Sequence, residues 1–297
     1  MSSAPREKPS PPLIPPNRGV LPRHALGFFP RLRDDAEHPR AWEWPAYLDQ
    51  PACAWLMALK ELYATPWAFP ASLAPEAGLM LFALVRNIRP RRAIEIGSFI
   101  GVSTIWMGAA MKEGGASRED RPGGAGYPSK QVPVLHAFDD FGPMAPGPWR
   151  DEGIEDRLGL FKRSIARAGL EGVVSIHPGD SSTEVRNLHA LLRPSEEAVR
   201  AAWGQPITDW PGGVDLALID GNHTVEGVFR DLAAVEPVLN TGGYIILHDT
   251  IPEQCGDHQG PRHVIDHIRE VAQGVYELCE LHTAPLNYGM ALLRRVG

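Results

Sequence analysis

Cysteine is scarce in this chain, and the scarcity excludes two kinds of stabilised fold. Three cysteines, Cys53, Cys255 and Cys279, stand far apart among 297 residues. They are too few for a disulfide framework, and no two of them have the Cys-x-x-Cys spacing of a structural zinc site. We therefore expect a protein of a reducing compartment, with the cytoplasm as the simplest location.

A basic excess and long apolar runs are also missing. The net charge is −7, from 29 basic and 36 acidic residues, whereas a protein that binds nucleic acid usually presents a basic face to the phosphates. No segment approaches the roughly 18 uninterrupted apolar residues of a membrane span, and the first residues contain no apolar signal core. We expect neither a nucleic-acid partner nor a membrane, and a small molecule as the ligand.

The composition present is that of an ordinary globular protein, with 43% hydrophobic and 22% charged residues. Residues 1–40 form a proline-rich arm without helical or strand periodicity, and such an arm can be disordered or can dock on the domain or on a second copy. A homo-oligomer is therefore one possibility.

Residues 41–90 carry apolar side chains at helical spacing, over 42–63 and again over 72–87, and predict two cap helices.

Residues 91–297 alternate between short apolar runs and helical stretches. Five runs predict buried parallel strands, at 93–96, 134–138, 173–176, 216–219 and 244–247, and residues 288–294 predict a last, antiparallel edge strand. Two Gly-rich or aperiodic segments, 113–131 and 194–213, are interpreted as surface insertions. The alternation predicts an α/β fold with an open sheet, in which ligands bind beyond the carboxyl ends of the strands.

The first motif begins where the strand predicted at 93–96 ends in Glu95-Ile96. Gly97 and Gly101 would let the backbone approach a ligand closely, and Ser98 and Ser103 in the same turn are further candidate contacts. The Gly-x-x-x-Gly spacing lacks the third glycine of a dinucleotide fingerprint, which argues against a pyrophosphate ligand. A strand-to-helix turn that binds nothing remains the alternative.

Two further motifs follow the next two strands. Asp139, preferred over Asp140, ends the second strand, where a carboxylate can accept both hydroxyls of a ribose; capping of a helix is the alternative. Asp180 and Ser181 follow the third strand, where Asp180 could accept a hydrogen bond from an adenine amine, or either residue could cap the next helix.

The last two motifs are the most informative. Asp220 and His223 follow one buried strand, and His248 and Asp249 end the next, which this topology makes its neighbour. Asp220, His248 and Asp249 could therefore bind one divalent ion, with His223 facing the same crevice. Carboxylate oxygens suit Mg²⁺ or Mn²⁺, while the imidazole of His248 favours a softer ion.

Taken together, these motifs resemble the class I, Rossmann-like methyltransferases, and within them the metal-dependent O-methyltransferases of natural-product and sugar biosynthesis. The resemblance includes macrolide-sugar methyltransferases and cephalosporin-hydroxylase-type proteins, and it covers residues 93–294. It implies a mostly parallel seven-stranded sheet, S-adenosylmethionine as the cofactor, and Mg²⁺ or Mn²⁺ as the metal.

The resemblance also assigns roles to single residues. It implies that Glu95, Asp139, Asp180 and Asp220, with the glycines and serines named above, bind the cofactor. Asp220 and the pair at 248 and 249 would bind the metal, and His223 would be the base that deprotonates a hydroxyl of a small-molecule acceptor. This chain departs from the family by having His248 at a position that is otherwise acidic, which leaves the third metal ligand open.

Two other functions are compatible with these motifs, and three further histidines follow them in the chain. A nicotinamide-dependent oxidoreductase and a non-catalytic relative of the methyltransferase fold are the rival hypotheses. His258, His263 and His267 follow Asp249 in a polar stretch, and no zinc-protease glutamate accompanies them. We expect a structural or substrate-loop role for these three.

Overall fold

In the computed structural model of the chain, the described residues are 31–35, 38–48, 50–115, 132–147, 151–192, 213–255, 258–281 and 288–297. The predicted insertions at 113–131 and 194–213 lie almost entirely outside the described residues, as does most of the proline-rich arm. Among the described residues, no helix is both long and apolar enough to cross a membrane.

The N-terminal part forms a hairpin followed by two helices. Strands β1 (Arg31–Asp35) and β2 (His38–Glu43) pair antiparallel, although this part of the sequence has no strand periodicity. Helices α1 (Ala54–Tyr63) and α2 (Pro75–Ile88) follow. Both cap helices are thus present, while the division of the chain into arm, cap and main domain stays a prediction.

The first cap helix is shorter than predicted. Helical spacing indicated a helix over 42–63, but the chain is still in strand β2 at Glu43 and forms only a single 3-10 turn at Ala46–Leu48 before α1. Pro45 and Pro51 interrupt this stretch, because proline lacks the N–H that a helix interior needs and disfavours helical backbone in the residue before it. The residues with helical spacing, from Trp55 to Tyr63, do lie in α1, so only the predicted start of the helix is wrong.

The main body is a seven-stranded sheet, and this confirms the Rossmann-like α/β prediction. Its strands in chain order are β3 (Arg92–Ile96), β4 (Val134–Asp139), β5 (Val174–Pro178), β6 (Val214–Ile219), β7 (Leu239–His248), β8 (Tyr276–Leu281) and β9 (Met290–Arg295). In the sheet they lie in the order β5, β4, β3, β6, β7, β9, β8. The first five are parallel, and β9 runs antiparallel to β7 and to β8.

The antiparallel end of the sheet differs from the prediction in one respect. The strand predicted at 288–294 is β9, but it is not the edge, because β8 pairs with its outer side. Strand β8 was not predicted: Glu277 and Glu280 interrupt its apolar residues, and a half-exposed edge strand buries too little to produce a continuous apolar run. The strand β7 also begins five residues before its predicted start at 244.

Helices cover both faces of the sheet. Helices α1 and α2 share one hydrophobic cluster with α3 (Val102–Gly115) and α4 (Arg157–Arg167). The opposite cluster contains residues of α5 (Ser181–Leu192), α6 (Val225–Val235) and α7 (Gln259–Val271). Successive strand residues alternate between the clusters, as Ala93 and Ile94 do, because neighbouring side chains of a strand point to opposite faces.

The cap is held to the sheet domain by close packing of α2 on α3. Gly78 of α2 lies against the indole of Trp106, a fully buried residue of α3, and a methyl group at Gly78 would come 2.0 Å from the indole nitrogen. The same nitrogen donates to the hydroxyl of Tyr63 in α1. One tryptophan thus joins both cap helices to the sheet domain.

We expect Gly78→Ala to destabilise the protein. Alanine normally favours a helix over glycine by about 1 kcal/mol, but here the added methyl overlaps a ring that cannot move within a packed core. The free energy of unfolding in urea should fall by about 1–3 kcal/mol. Gly172→Ala is the control, since a methyl there meets nothing within 4 Å. A Gly78→Ala protein as stable as the unchanged chain would contradict this packing.

Candidate active site

The turn after β3 is packed directly on the turn after β6. Gly97 has φ +88°, and a methyl group on it would lie 2.1 Å from the backbone carbonyl oxygen of Asp220. The backbone N–H of Asp220 in turn donates to the carbonyl of Ile96 at 2.9 Å. Gly97 is therefore required for the approach of the two turns, whether or not a ligand binds there.

Gly101 is favoured in this turn for a different reason, its contact with a neighbouring aromatic ring. Its φ is +98°, and its α-carbon faces the ring of Phe161, which a methyl group would meet at 3.3 Å. Helix α3 begins at the next residue, Val102, as predicted. The first backbone N–H groups of a helix have no partner within it, so this turn presents hydrogen-bond donors beside the β3 end of the sheet.

Glu95 lies completely buried beneath this turn. Its Oε2 accepts hydrogen bonds from the hydroxyls of Ser98 at 2.9 Å and Thr104 at 2.5 Å, and Ser103 lies close enough to the carboxyl to favour its ionised form. Burial outweighs these bonds and raises the pKa of Glu95 to about 7. Its Oε1 is buried without a partner among the described residues. Glu95, Ser98 and Ser103 thus form an internal network, and their contact with a cofactor stays a prediction.

Asp139 ends β4 as predicted, and its carboxylate is largely occupied. Oδ2 accepts the N–H of Phe99 at 2.8 Å, and Oδ1 accepts the N–H of Phe141 at 2.7 Å and a guanidinium N–H of Arg157 at 2.8 Å. A carboxylate offers about four acceptor positions, so at most about one remains for a ribose hydroxyl. The side chain of Asp139 is 9% exposed, whereas that of Asp140 is 75% exposed.

Asp180 and Ser181 have local structural partners. Asp180 accepts hydrogen bonds from the N–H of Thr183 at 3.0 Å and from the hydroxyls of Ser182 and Thr183, and so caps α5. Ser181 donates to Asp231 at 2.7 Å. The capping alternative is therefore realised, and contact of this turn with an adenine stays a prediction.

The structure brings the four residues of the β6 and β7 motifs together. Oδ1 of Asp220 lies 3.2 Å from Nε2 of His223 and 3.1 Å from Nδ1 of His248. Nδ1 of His248 is also 3.0 Å from Oδ1 of Asp249. The ligand atoms of Asp220, His248 and Asp249 all lie within 4.8 Å of one another, the arrangement that a shared ion would need.

Asp249 joins this group by means of an unusual backbone. Its φ is +57°, a left-handed conformation that costs a non-glycine residue on the order of 1 kcal/mol or more. Its Oδ1 is buried and makes no hydrogen bond among the described residues, although Nδ1 of His248 lies 3.0 Å away. Strain and an unpartnered carboxylate oxygen at one residue are typical of functional sites.

His258 is a member of the cluster that the sequence analysis missed. Its Nδ1 lies 3.2 Å from Oδ2 of Asp249, and its ring stacks on that of His223 with centroids 4.4 Å apart. Gly260 makes this possible, because a side chain there would clash with the backbone of His223 and Thr224. That glycine is the sequence signal which could have indicated the contact.

The other two histidines of this segment lie elsewhere. His263 and His267, on α7, both contact the edge of the ring of Phe229 in α6. These are packing contacts between two helices, so the structural role expected for these two residues fits their surroundings.

Opposite charges hold the cluster together. Burial by itself lowers the pKa of His248, but the carboxylates of Asp220 and Asp249 outweigh burial and raise it well above the usual value. Burial likewise raises the pKa of Asp249, and the neighbouring His248 outweighs it, so the net pKa is lowered. Both aspartates are therefore ionised near neutral pH and able to bind a cation.

The comparisons with known proteins identify the family. A family model described as a methyltransferase domain matches residues 94–250, more than half of the chain. The chain belongs to this methyltransferase family. The matched range contains every one of the site residues predicted from the sequence, and it leaves out the cap.

Solved methyltransferase structures share the fold. An O-methyltransferase from Bacillus cereus in complex with SAH superposes with a TM-score of 0.56 at 16% identity, covering 80% of this chain and 90% of that one. The O-methyltransferase TomG from Streptomyces achromogenes, involved in tomaymycin synthesis and solved with SAM, gives 0.55 at 16% identity, covering 81% and 90%. A putative O-methyltransferase from Klebsiella pneumoniae gives 0.54 at 16% identity, covering 84% and 93%.

The family match and the shared fold agree with the sequence-based recognition. The chain is an enzyme of the class I methyltransferase fold, as predicted, and the nicotinamide-dependent oxidoreductase is set aside. At 16% identity the solved relatives establish the fold alone, so the acceptor and the metal have to be argued from the site itself.

Glu95 should make the stability of this methyltransferase depend on pH. Its pKa in the folded protein, about 7, is above its ordinary value of 4.5, so the folded state binds the proton more tightly. The stabilising contribution is complete below about pH 4.5 and is lost as the pH rises through 7. Between pH 5 and 8, Glu95→Gln should reduce the pH-dependent fall in unfolding free energy by on the order of 1–3 kcal/mol, measured in urea.

Glu171→Gln is the matched control, since Glu171 is exposed on the surface. Parallel pH dependence in the Glu95→Gln and unchanged proteins would show that Glu95 is ionised throughout this range.

Proposed function

We propose that this methyltransferase uses S-adenosylmethionine and a divalent metal ion to methylate a hydroxyl group of a small molecule, such as a natural product or a sugar. The observation that carries the proposal is the cluster of Asp220, His223, His248 and Asp249, packed beside the glycine turn after β3. The turn suits the cofactor, and the cluster suits activation of a hydroxyl.

The residues around the turn fit S-adenosylmethionine. Gly97 and Gly101 give the turn its positive-φ backbone, and the buried Oε1 of Glu95 beneath it has no partner among the described residues, so it can accept a hydrogen bond from the amino group of the cofactor. The solved relatives with SAH and SAM bound share this fold. When bound, the cofactor supplies an electrophilic methyl group on its sulfonium, so the protein mainly has to align the acceptor with it.

The residues at the ends of β6 and β7 fit a divalent ion. Two ionised carboxylates and one imidazole supply three ligand atoms within 4.8 Å, and Oδ1 of Asp249 makes no hydrogen bond among the described residues. Mg²⁺ and Mn²⁺ are the ions that such carboxylates prefer, with His248 favouring Mn²⁺. When bound, the ion holds the acceptor oxygen and lowers the pKa of its hydroxyl.

His223 is the proposed base. It is held at the cluster by the 3.2 Å contact of Nε2 with Asp220, and its side chain remains 21% exposed and so accessible to an acceptor. Burial lowers its pKa, but bonding to Asp220 outweighs burial and raises it. Because only the neutral imidazole accepts a proton, turnover should increase as the pH rises through the pKa of His223.

The first test concerns the cofactor. Calorimetric titration should show binding of S-adenosylmethionine and none of NAD. Asp139→Asn should weaken the binding at least tenfold, because an amide loses the charge that strengthens hydrogen bonds to ribose hydroxyls. Asp140→Asn is the matched variant. If Asp140→Asn weakens the binding of S-adenosylmethionine and Asp139→Asn does not, the residue that binds the ribose is Asp140, and the choice of Asp139 is wrong.

The second test concerns the metal and the base. Removal of metal with a chelator should abolish methyl transfer and Mg²⁺ or Mn²⁺ should restore it, while His248→Ala should raise the metal concentration needed for half-activity. His223→Ala should lower kcat by about 10²- to 10⁴-fold and remove the acidic limb of the pH profile of kcat/KM. Full activity in excess chelator would refute the requirement for a metal. If His223→Ala loses the metal while His248→Ala keeps it, the roles of base and metal ligand assigned to these two histidines are reversed.

A further inference from the structure

The cluster contains more nitrogen ligands than one oxygen-rich cation site needs. Beyond Asp220, His248 and Asp249, a second group of three residues can surround an ion: His223, Asp249 and His258, whose ligand atoms also lie within 4.8 Å of one another. The two groups share only Asp249. This overlap raises the question of whether the carboxylate serves one ion or two.

The two oxygens of Asp249 are divided between the groups. Oδ1 faces the first, at 3.0 Å from Nδ1 of His248. Oδ2 faces the second, at 3.2 Å from Nδ1 of His258 and 3.5 Å from Nε2 of His223. A carboxylate with one oxygen directed to each of two ligand sets has the geometry of a bridge between two ions.

The spacing in the second group suits direct ligation. Ligand atoms that share one transition-metal ion lie about 2.0–2.2 Å from it, and hence about 3 to 3.5 Å from one another. The contacts of Oδ2 with the two imidazole nitrogens have this length. The stacked rings of His223 and His258 also direct two nitrogens to one oxygen, an arrangement that an ion between them would stabilise.

Burial and access are consistent with a cation site. The side chain of Asp249 is nine-tenths buried, its Oδ1 makes no hydrogen bond among the described residues, and its backbone is strained, three features that a bound cation would account for. His258, by contrast, is 43% exposed. An ion could therefore reach the second group from solvent past this ring.

We propose that His223, Asp249 and His258 form a second cation site, bridged by Asp249 to the first, and that it takes a transition-metal ion such as Zn²⁺. Two imidazoles and one carboxylate favour such an ion over Mg²⁺. The proposal rests on the metal site of the proposed function, because the two share Asp249. Since the ion would occupy Nε2 of His223, Zn²⁺ bound there inhibits the methyl transfer that depends on this base.

The test is the number of Zn²⁺ ions bound by the metal-stripped full chain, measured by equilibrium dialysis and elemental analysis. We expect two ions per chain, one in His258→Asn, one in His248→Asn and none in the double variant. His263→Asn, on the helix that follows His258 but outside the cluster, is the control and should keep two. His258→Gln, a second variant without the imidazole but with a longer side chain than asparagine, should bind the same number of ions as His258→Asn.

Two results would overturn the second site. If the unchanged chain binds one Zn²⁺, which His258→Asn merely weakens, the five residues form a single mixed centre. If His258→Asn binds as many ions as the unchanged chain, His258 is not a ligand.

The stoichiometry is independent of turnover, so it can fail while the proposed function stands. Conversely, methyl transfer in excess chelator would refute metal-dependent catalysis without affecting the ion count. As a second readout, Zn²⁺ should inhibit Mg²⁺-supported activity at least tenfold less in His258→Asn than in the His263→Asn control.

Discussion

The contact of Gly97 with the backbone of Asp220 is the constraint on which the whole site depends. It sets the turn after β3 directly against the turn after β6, at a distance that no side chain would permit. One turn provides the proposed cofactor site and the other provides an aspartate of the charged cluster. In the proposed reaction, a donor methyl group and an activated hydroxyl must lie within about 3 to 3.5 Å of each other, and this contact would bring the two proposed binding sites together before any ligand arrives.

The charged cluster shows how the fold keeps two carboxylates and three imidazoles at the edge of a core. Burying Asp220 and Asp249 would be costly if they were alone, and the neighbouring histidines offset that cost. The strained backbone of Asp249 adds to it. The fold retains this cost of buried charge and backbone strain at the carboxyl ends of its central strands, where α/β proteins bind ligands. That is the physical reason to place the chemistry there.

Several residues in the same crevice make structural hydrogen bonds that compete with ligand binding. Asp139 fixes two loops through Phe99, Phe141 and Arg157, and Asp180 caps a helix. Their positions at strand ends would suit a nucleoside ligand, yet most of their acceptor capacity is used. Removal of such a residue would alter the loops as well as the ligand contact, and substitutions that preserve shape are therefore the informative ones.

The sequence by itself determined the parallel strands, the glycine turn and the residues Asp220, His223, His248 and Asp249, because buried strands leave continuous apolar runs and ligand-binding turns follow them directly. It missed β8, whose half-exposed residues leave no such run, and it extended α1 through two prolines. Only the tertiary structure decided that His258 meets Asp249, that Ser98 bonds to Glu95, and that Asp139 is already paired. Those contacts depend on distances between segments far apart or set at sharp turns, and local sequence patterns carry no record of such distances.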